Sequence, residues 1–275
     1  MKRAAIVGLG WLGMPLAMTL VARGWHICGS KTTSDGTEAA RMCGIESYRL
    51  KLTPDVACEP EDLQALLNTD ALVITLPASR GGMESREYLL SVQQLVDSAL
   101  AFSVEHILFT SSTSVYGDSQ GVVSERTPLQ PVSSTGRILA ELESWLHDLP
   151  GTRVDILRLA GLVGPNRHPG RFLAGKTGIE DGGRGVNLVH LDDVIGAISL
   201  LLESSHKGGI WNLCAPKHPA RSHFYPTVAR QLGLIPPQFT GTTKSGNGKI
   251  IDGSKICREL GFSYQYPDPN TMPVS

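Results

Sequence analysis

Thr110-Ser111-Ser112-Thr113-Ser114-Val115-Tyr116-Gly117 follows directly on His106-Ile107-Leu108-Phe109, and that junction decides how the rest of the chain is read. The second run is short and mostly apolar, as a strand buried on both faces must be. The first run sets hydroxyl after hydroxyl at the strand's carboxyl end, where open α/β sheets receive their ligands. The run is therefore expected to face a bound molecule.

Toward the amino terminus, Lys2-Arg3-Ala4-Ala5-Ile6-Val7 reads as another buried strand, and it feeds Gly8-Leu9-Gly10-Trp11-Leu12-Gly13. Between a strand and a helix, this glycine spacing is a dinucleotide fingerprint. The first glycine turns the chain and the second lets backbone approach a pyrophosphate. The third lets the next helix pack close to the strand, its N–H groups toward the phosphates. Gly8, Gly10, Trp11, Leu12 and Gly13 are expected to hold the cofactor, with a helix over 11–23. The same opening has the basic start and apolar run of a secretory signal, from Met1-Lys2-Arg3 to Ala22. Pro15 and the three glycines interrupt that run, so it reads as the first strand and helix of the fold, and a cytoplasmic protein is expected.

The next strand, Trp25-His26-Ile27-Cys28-Gly29, leads to the cofactor's ribose. Asp or Glu near its end would suit the free hydroxyls of NAD. Ser30-Lys31-Thr32 stands there instead, and a cation flanked by hydroxyls suits a 2′-phosphate, which favours NADP. Asp35 is close enough to keep NAD open.

Strand and helix continue to alternate. A helix over 60–67 precedes the buried strand Ala71-Leu72-Val73-Ile74-Thr75-Leu76, which Pro77 ends. An amphipathic helix is expected over 84–101, with Leu89, Leu90, Val92, Leu95, Val96, Ala99 and Leu100 near helical spacing. Further helices over 139–149 and 222–232 and strands over 153–158 and 208–213 complete an α/β pattern, that of a Rossmann-type doubly wound parallel sheet. At 275 residues, 41% hydrophobic and 19% charged, the chain has room for one sizeable core and a smaller lobe. A formal net charge of -1 leaves no basic surplus for nucleic acid or an anionic bilayer, so the expected partner is a small molecule. Five scattered cysteines, odd in number and without metal-type spacing, read as reduced packing residues in a cytosol; no metal is expected.

Three segments in order carry a family resemblance: Phe109 through Gly117, Leu157-Arg158-Leu159-Ala160-Gly161-Leu162-Val163-Gly164-Pro165, and Val189-His190-Leu191-Asp192-Asp193-Val194. With the glycine loop they resemble the extended short-chain dehydrogenase/reductases, the group of nucleotide-sugar epimerases and dehydratases. The resemblance runs nearly end to end. It is to an atypical, uncharacterised bacterial form, since the loop departs from the threonine-glycine pattern of typical members. It implies a dinucleotide-binding domain over 1–165, to which 186–215 returns, and a smaller substrate lobe from 166–185 and 216–275. A homodimer through the long helices is implied as well.

Carried over residue by residue, Ser112 matches the family's catalytic serine. The position of its catalytic tyrosine falls on Thr135 and that of its lysine on Leu139. A phenol beside an ammonium exchanges protons near neutral pH; threonine does not, and leucine gives no help. That lysine also holds the nicotinamide ribose, so cofactor binding is expected to lean on the loop and on Leu76, Pro77 and Thr110. Tyr116, four residues beyond Ser112, is the candidate replacement acid, with Arg158 the cation that could reach it through the fold. The other reading of Tyr116 is a side chain that lines the pocket or anchors the loop.

Arg167 and Arg171, beyond a Gly-Pro turn, are the candidate clamp for an anionic substrate, with Arg184 a weaker one. His190, Asp192 and Asp193 have the look of an acid–base set. The resemblance makes that segment structural, a helix start with Asp192 as N-cap that ties the lobes together. Three functions stay open: an NAD(P)-dependent oxidoreductase or epimerase without the usual Tyr/Lys pair, a dinucleotide-binding sensor without turnover, and an enzyme like the 3-hydroxyacid dehydrogenases. The last shares the look of the Gly8–Ala17 opening but calls for an all-helical second domain.

Overall fold

The computed structural model describes residues 2–53, 55–78, 85–240 and 248–274. Glu84, the expected first residue of a helix, and residues 241–247 of the expected substrate lobe lie outside them. Along the chain come β1 (Arg3–Val7), α1 (Gly13–Ala22), β2 (His26–Lys31), α2 (Ser34–Met42), β3 (Glu46–Arg49), the short β4 (Lys51–Leu52) and β5 (Val56–Ala57), α3 (Pro60–Leu67), β6 (Ala71–Ile74), α4 (Ser85–Ala101) and β7 (His106–Ser112). Then follow β8 (Gly121–Val123), α5 (Ser134–His147), β9 (Arg153–Leu159), β10 (Gly161–Val163), β11 (Leu188–His190), α6 (Leu191–Glu203), β12 (Gly209–Leu213), α7 (Arg221–Gln231), β13 (Lys249–Ile251) and α8 (Lys255–Leu260).

Seven strands form one sheet in the order β12-β9-β7-β6-β1-β2-β3. β1 pairs in parallel with β2 on one side and β6 on the other, and β6 pairs in parallel with β7. The chain therefore winds outward from β1 in both directions, and the reversal between β1 and β6 creates the crevice in which such sheets bind ligands. Burial explains the strands: every residue of β6 is buried, as is all of β1 but Arg3, so each is apolar throughout instead of alternating. α4 buries Tyr88, Leu89, Val92, Leu95, Val96 and Ala99, the spacing of one helical face. This is the Rossmann-type doubly wound sheet that the sequence predicts.

Two compact units divide the chain. The first holds residues 1–115, 131–157 and 198–210, and the second 116–130, 158–197 and 211–275. The chain thus steps out of the first unit over 116–130 and leaves it after Leu157, beside an expected boundary at 165, and only 198–210 of the expected return segment belongs to it. Within the second unit, β10 pairs with β11 and β8 with β13, both in parallel. An all-helical second domain is thereby ruled out, and with it the 3-hydroxyacid dehydrogenase reading. A core of Val163, Val186, Leu188, Ala215, Phe224, Val228 and Met272 holds this unit together.

The first unit buries an ionic cluster at the start of β7 and β9. Asp155, with no exposed surface, meets His106 Nε2 at 2.8 Å and His206 Nε2 at 2.9 Å. Arg153 closes the group, its Nη2 on His206 Nδ1 at 2.9 Å. Burial is the main reason that His106 lies below the ordinary histidine range, with its hydrogen bond to Asp155 opposing it. All five cysteines are free, but Cys43 is exposed and so is not the packing residue expected. Among the described residues no helix is long and apolar enough to cross a membrane.

Candidate functional site

In the first unit the glycine loop is a tight backbone cradle at the carboxyl end of β1. Gly8 has φ +105°, a conformation that favours glycine, and its carbonyl accepts from Gly10 N at 2.7 Å. Gly13 packs directly over that carbonyl: a Cβ on Gly13 would lie 2.2 Å from Gly8 O. The turn occupies residues 8–12, so α1 begins at Gly13 and not at Trp11 as the sequence suggested. Trp11 is half-buried and Leu12 buried, so Leu12 contributes backbone to the loop while its side chain packs inside.

Two neighbours brace the cradle. Thr75, just past β6, donates from Oγ1 to Gly8 O at 2.7 Å. Sequence reading placed this residue in a strand and missed it as part of the site; its signal was a lone hydroxyl ending an apolar strand. Ser30 Oγ accepts from Gly8 N at 3.2 Å and the residue is buried. Ser30 therefore shapes the loop through its hydroxyl oxygen, which keeps its own O–H to donate. Lys31 ends β2 half-buried and Thr32 is exposed. Next to them Thr33 caps α2, its Oγ1 accepting from Gly36 N at 3.1 Å. Leu76 lies over the loop, with Cδ2 3.1 Å from a Cβ built on Gly8, and its carbonyl accepts from Tyr88 OH at 2.9 Å. Pro77 is exposed beside it.

The hydroxyl run splits by strand alternation. Thr110 and Ser112 are half-buried on one face, while Ser111 is buried on the other. Thr110 Oγ1 donates to Ile74 O at 3.0 Å, joining the ends of β7 and β6. Ser112 Oγ accepts from Ser114 N at 3.1 Å, which fixes the hydroxyl at the strand end. Ser111 Oγ donates at 2.5 Å to Glu143 Oε1, a buried carboxylate on α5. Glu143 was not foreseen; one of two glutamates in an amphipathic helix, it gives no sign of its depth. Thr135 opens α5 half-buried, and Leu139, one turn on, is 4% exposed. Thr135, Leu139 and Glu143 fall four residues apart and share a helix face. Gly136 lets this helix start close to the strand end, since a Cβ there would lie 3.0 Å from Ser114 O.

In the second unit Tyr116 has no exposed surface. Its hydroxyl donates to Asn212 Oδ1 at 2.7 Å and accepts from Arg158 Nη1 at 2.8 Å, with the Arg158 guanidinium 5.0 Å from the ring centre. Arg158 thus makes the contact that the acid role required, but burial outweighs it and the phenol lies above its ordinary value. A sealed, doubly bonded phenol is an anchor, which corrects the replacement-acid reading. Asn212 extends the network, its backbone N donating to Glu125 Oε1 at 2.8 Å and its Nδ2 to Asp252 O at 3.2 Å.

Arg167 and Arg171 are both exposed on the segment after β10, Arg171 closing a 3-10 turn over Pro169–Arg171. His190 and the two aspartates are structural, in a different way from that expected. His190 Nδ1 accepts from Asp192 N at 3.2 Å, so the histidine, not Asp192, serves the start of α6. His190 Nε2 donates to Pro273 O at 2.7 Å, and Asp193 accepts from Gln265 N at 2.6 Å and Tyr266 N at 3.2 Å. Together they fasten the unit's own carboxyl-terminal segment. Among the described residues no three His, Cys, Asp or Glu side chains gather as a metal set.

The model of the NAD dependent epimerase/dehydratase family fits residues 5–214. The protein YeeZ of Escherichia coli (strain K12) is 67% identical over 274 residues, covering 100% of both chains. Among solved structures, a UDP-glucose 4-epimerase superposes with a TM-score of 0.79 at 18% identity, over 98% of this chain and 94% of that one. MoeE5, solved in complex with UDP-glucose and NAD, gives 0.74 at 22% identity, over 96% and 94%.

Proposed function

The chain belongs to the NAD dependent epimerase/dehydratase family, and from that premise we propose that it is a nicotinamide-dinucleotide-dependent oxidoreductase or epimerase acting on an anionic, nucleotide-linked substrate without the family's Tyr/Lys pair. The observation that carries this reading is the cradle at Gly8 and Gly13, where a single added Cβ would fill the space beside Gly8 O. Backbone laid that bare suits close approach by a pyrophosphate, and α1 begins at its edge.

When bound, a nicotinamide dinucleotide supplies a hydride donor and acceptor. Gly8, Gly10, Trp11, Leu12 and Gly13 hold it, with Leu76, Pro77 and Thr110 as flanking wall and Thr75 as brace. Lys31, at the end of β2, pairs with a 2′-phosphate and makes NADP the preferred form. Ser112 offers its hydroxyl to a substrate oxygen, and Arg167 and Arg171 take the anionic part. Thr135 and Leu139 stand where the proton-transfer pair would stand, so the proton moves through other groups. UDP-glucose, named for the 4-epimerase and MoeE5 structures, is the first substrate to try. A homodimer pairing through α4 and α5 and a cytoplasmic location, where its free cysteines stay reduced, complete the proposal.

A second reading, a dinucleotide-binding protein without turnover, is favoured by one observation: Leu139 is buried and apolar where an ammonium would be needed. Titration calorimetry with NADPH and NADH, followed by incubation with UDP-sugars and chromatography for epimers, separates the two. Binding with conversion supports the enzyme, and binding without conversion across the panel supports the sensor. Failure to bind either dinucleotide overturns both.

A further inference from the structure

Lys31 has a basic neighbour that no motif marks. β2 and β3 run in parallel, and their register sets Lys31 against Arg49, the last residue of each strand. Residues paired across a parallel ladder point to the same face, and neighbouring strands stand about 4.8 Å apart. The pairing holds to its end, where Leu50 N donates to Lys31 O at 2.8 Å. An ammonium and a guanidinium are therefore rooted side by side at the carboxyl edge of the sheet.

The glycine loop lies against the same edge. Leu9 N donates to Ser30 O at 3.0 Å, so the residue before Lys31 touches the cradle, and a ribose held at the end of β2 comes next to both cations. The first turn of α2 limits where the lysine goes: a Cβ on Gly36 would lie 3.3 Å from Lys31 Cβ and 3.4 Å from its Cδ. Its stem thus packs on the start of α2, the positive end of that helix. Arg41, the next basic residue on α2, is occupied, its Nε and Nη2 donating to Ser47 O at 3.1 and 2.8 Å. Among the described residues the side chains of Lys31, Arg49 and Asp35, the acidic residue of the first turn of α2, make no hydrogen bond or ion pair.

Two unpaired like charges on neighbouring strands repel, and an anion with oxygens for both removes the repulsion. A phosphate monoester carries nearly two negative charges at pH 7, and its oxygens suit a compact ammonium and a planar fork together. Resting on the reading of the glycine loop as a dinucleotide site, we propose that Arg49 is the second cation of a 2′-phosphate subsite and takes that phosphate jointly with Lys31. Preference for NADP is then set by two strands, and the share of β3 comes from register, not from its distance along the chain from the glycine loop.

Calorimetry on the full chain tests it with NADPH and NADH, and with the fragments adenosine 2′,5′-bisphosphate and 5′-AMP, which differ only in the 2′-phosphate. Arg49→Ala should weaken NADPH and the bisphosphate about fivefold and leave NADH and 5′-AMP unchanged, while Arg49→Lys keeps most of the affinity. The 31P signal of bound NADPH gives a second reading. Its 2′-phosphate, with a second pKa of about 6 when free, should titrate at lower pH on the native chain than on Arg49→Ala. Native affinity for both phosphorylated probes in Arg49→Ala, or an equal loss on all four, overturns the proposal. NADPH and NADH bound alike by the native chain overturn it as well and leave the dinucleotide reading standing. If the native chain binds neither dinucleotide, both fall.

Discussion

Thr75 is fastened to Gly8 by the 2.7 Å hydrogen bond from its Oγ1 to the Gly8 carbonyl, and that carbonyl is also the atom a side chain on Gly13 would strike, at 2.2 Å. Loop, brace and helix start therefore meet at one oxygen. Gly13→Ala cannot be accommodated by a change of rotamer, because the obstacle is backbone. It should cost about 3 kcal/mol of stability, the upper range for overpacking, and abolish dinucleotide binding in calorimetry. Thr75→Val keeps the shape and removes only the hydrogen bond, at about 1 kcal/mol. Native affinity for NADPH in Gly13→Ala would show that the loop does not hold the cofactor.

Tyr116→Phe tests the anchor against the acid. The substitution leaves Arg158 and Asn212, both buried, each without the phenol oxygen they share. Losing those two buried hydrogen bonds costs about 1–3 kcal/mol, to be read as a lower melting temperature. Turnover per folded molecule should stay at the native level on any substrate found. A stable variant with turnover lost would restore the acid role.

The proposed preference for NADP is tested at Lys31. It is half-buried at the end of β2 with exposed Thr32 and Thr33 beyond it, so its pairing with a 2′-phosphate is partly screened and worth about 1 kcal/mol. Lys31→Ala should weaken NADPH roughly fivefold, by that same energy, and leave NADH unchanged in parallel titrations. Equal effects on both cofactors, or none on either, would remove the preference for NADP.

The sheet was legible because its strands are buried on both faces: runs such as Ala71-Leu72-Val73-Ile74 can be little else. α2 and β3 went unread because Ser34–Met42 has few apolar residues and Glu46–Arg49 is a short edge strand. Their cues are local, such as the Thr33 cap. The start of α5 was placed a turn too late, at Leu139, because the first turn, Ser134-Thr135-Gly136-Arg137, is polar and glycine-bearing; the Ser133 cap on Gly136 N, at 3.0 Å, is what starts it. In the site, the glycine loop could be read from spacing alone, since Gly8 and Gly13 each answer a local steric demand. Thr75 and Glu143 could not. Each meets a partner far away in sequence, at 67 and 32 residues, and such pairings are set by the fold. Tyr116 shows the converse: its position suggested chemistry, and only the tertiary partners Arg158 and Asn212 showed it to be sealed.

His106, buried against Asp155, makes stability depend on pH. His106 lies below its ordinary value of 6.5, burial being the main cause. In the window between that lowered value and 6.5 the unfolded chain takes up a proton that the folded chain refuses, so stability falls as pH falls through it and is fully present above. His168 and His218 are lowered for the same main reason and add slopes of the same sign, whereas the raised Asp193 works in the opposite direction. Melting temperatures measured from pH 8 to pH 5 should therefore be flat at first and then decline below about 6.5. His106→Gln keeps a donor for Asp155 without a titrating group, so it should lower the plateau slightly and make the decline shallower. His168→Gln, half-buried in the second unit, should change the slope less. If His106→Gln declines as steeply as the native chain between pH 6.5 and 5, the acid sensitivity lies elsewhere and the cluster is electrostatically silent.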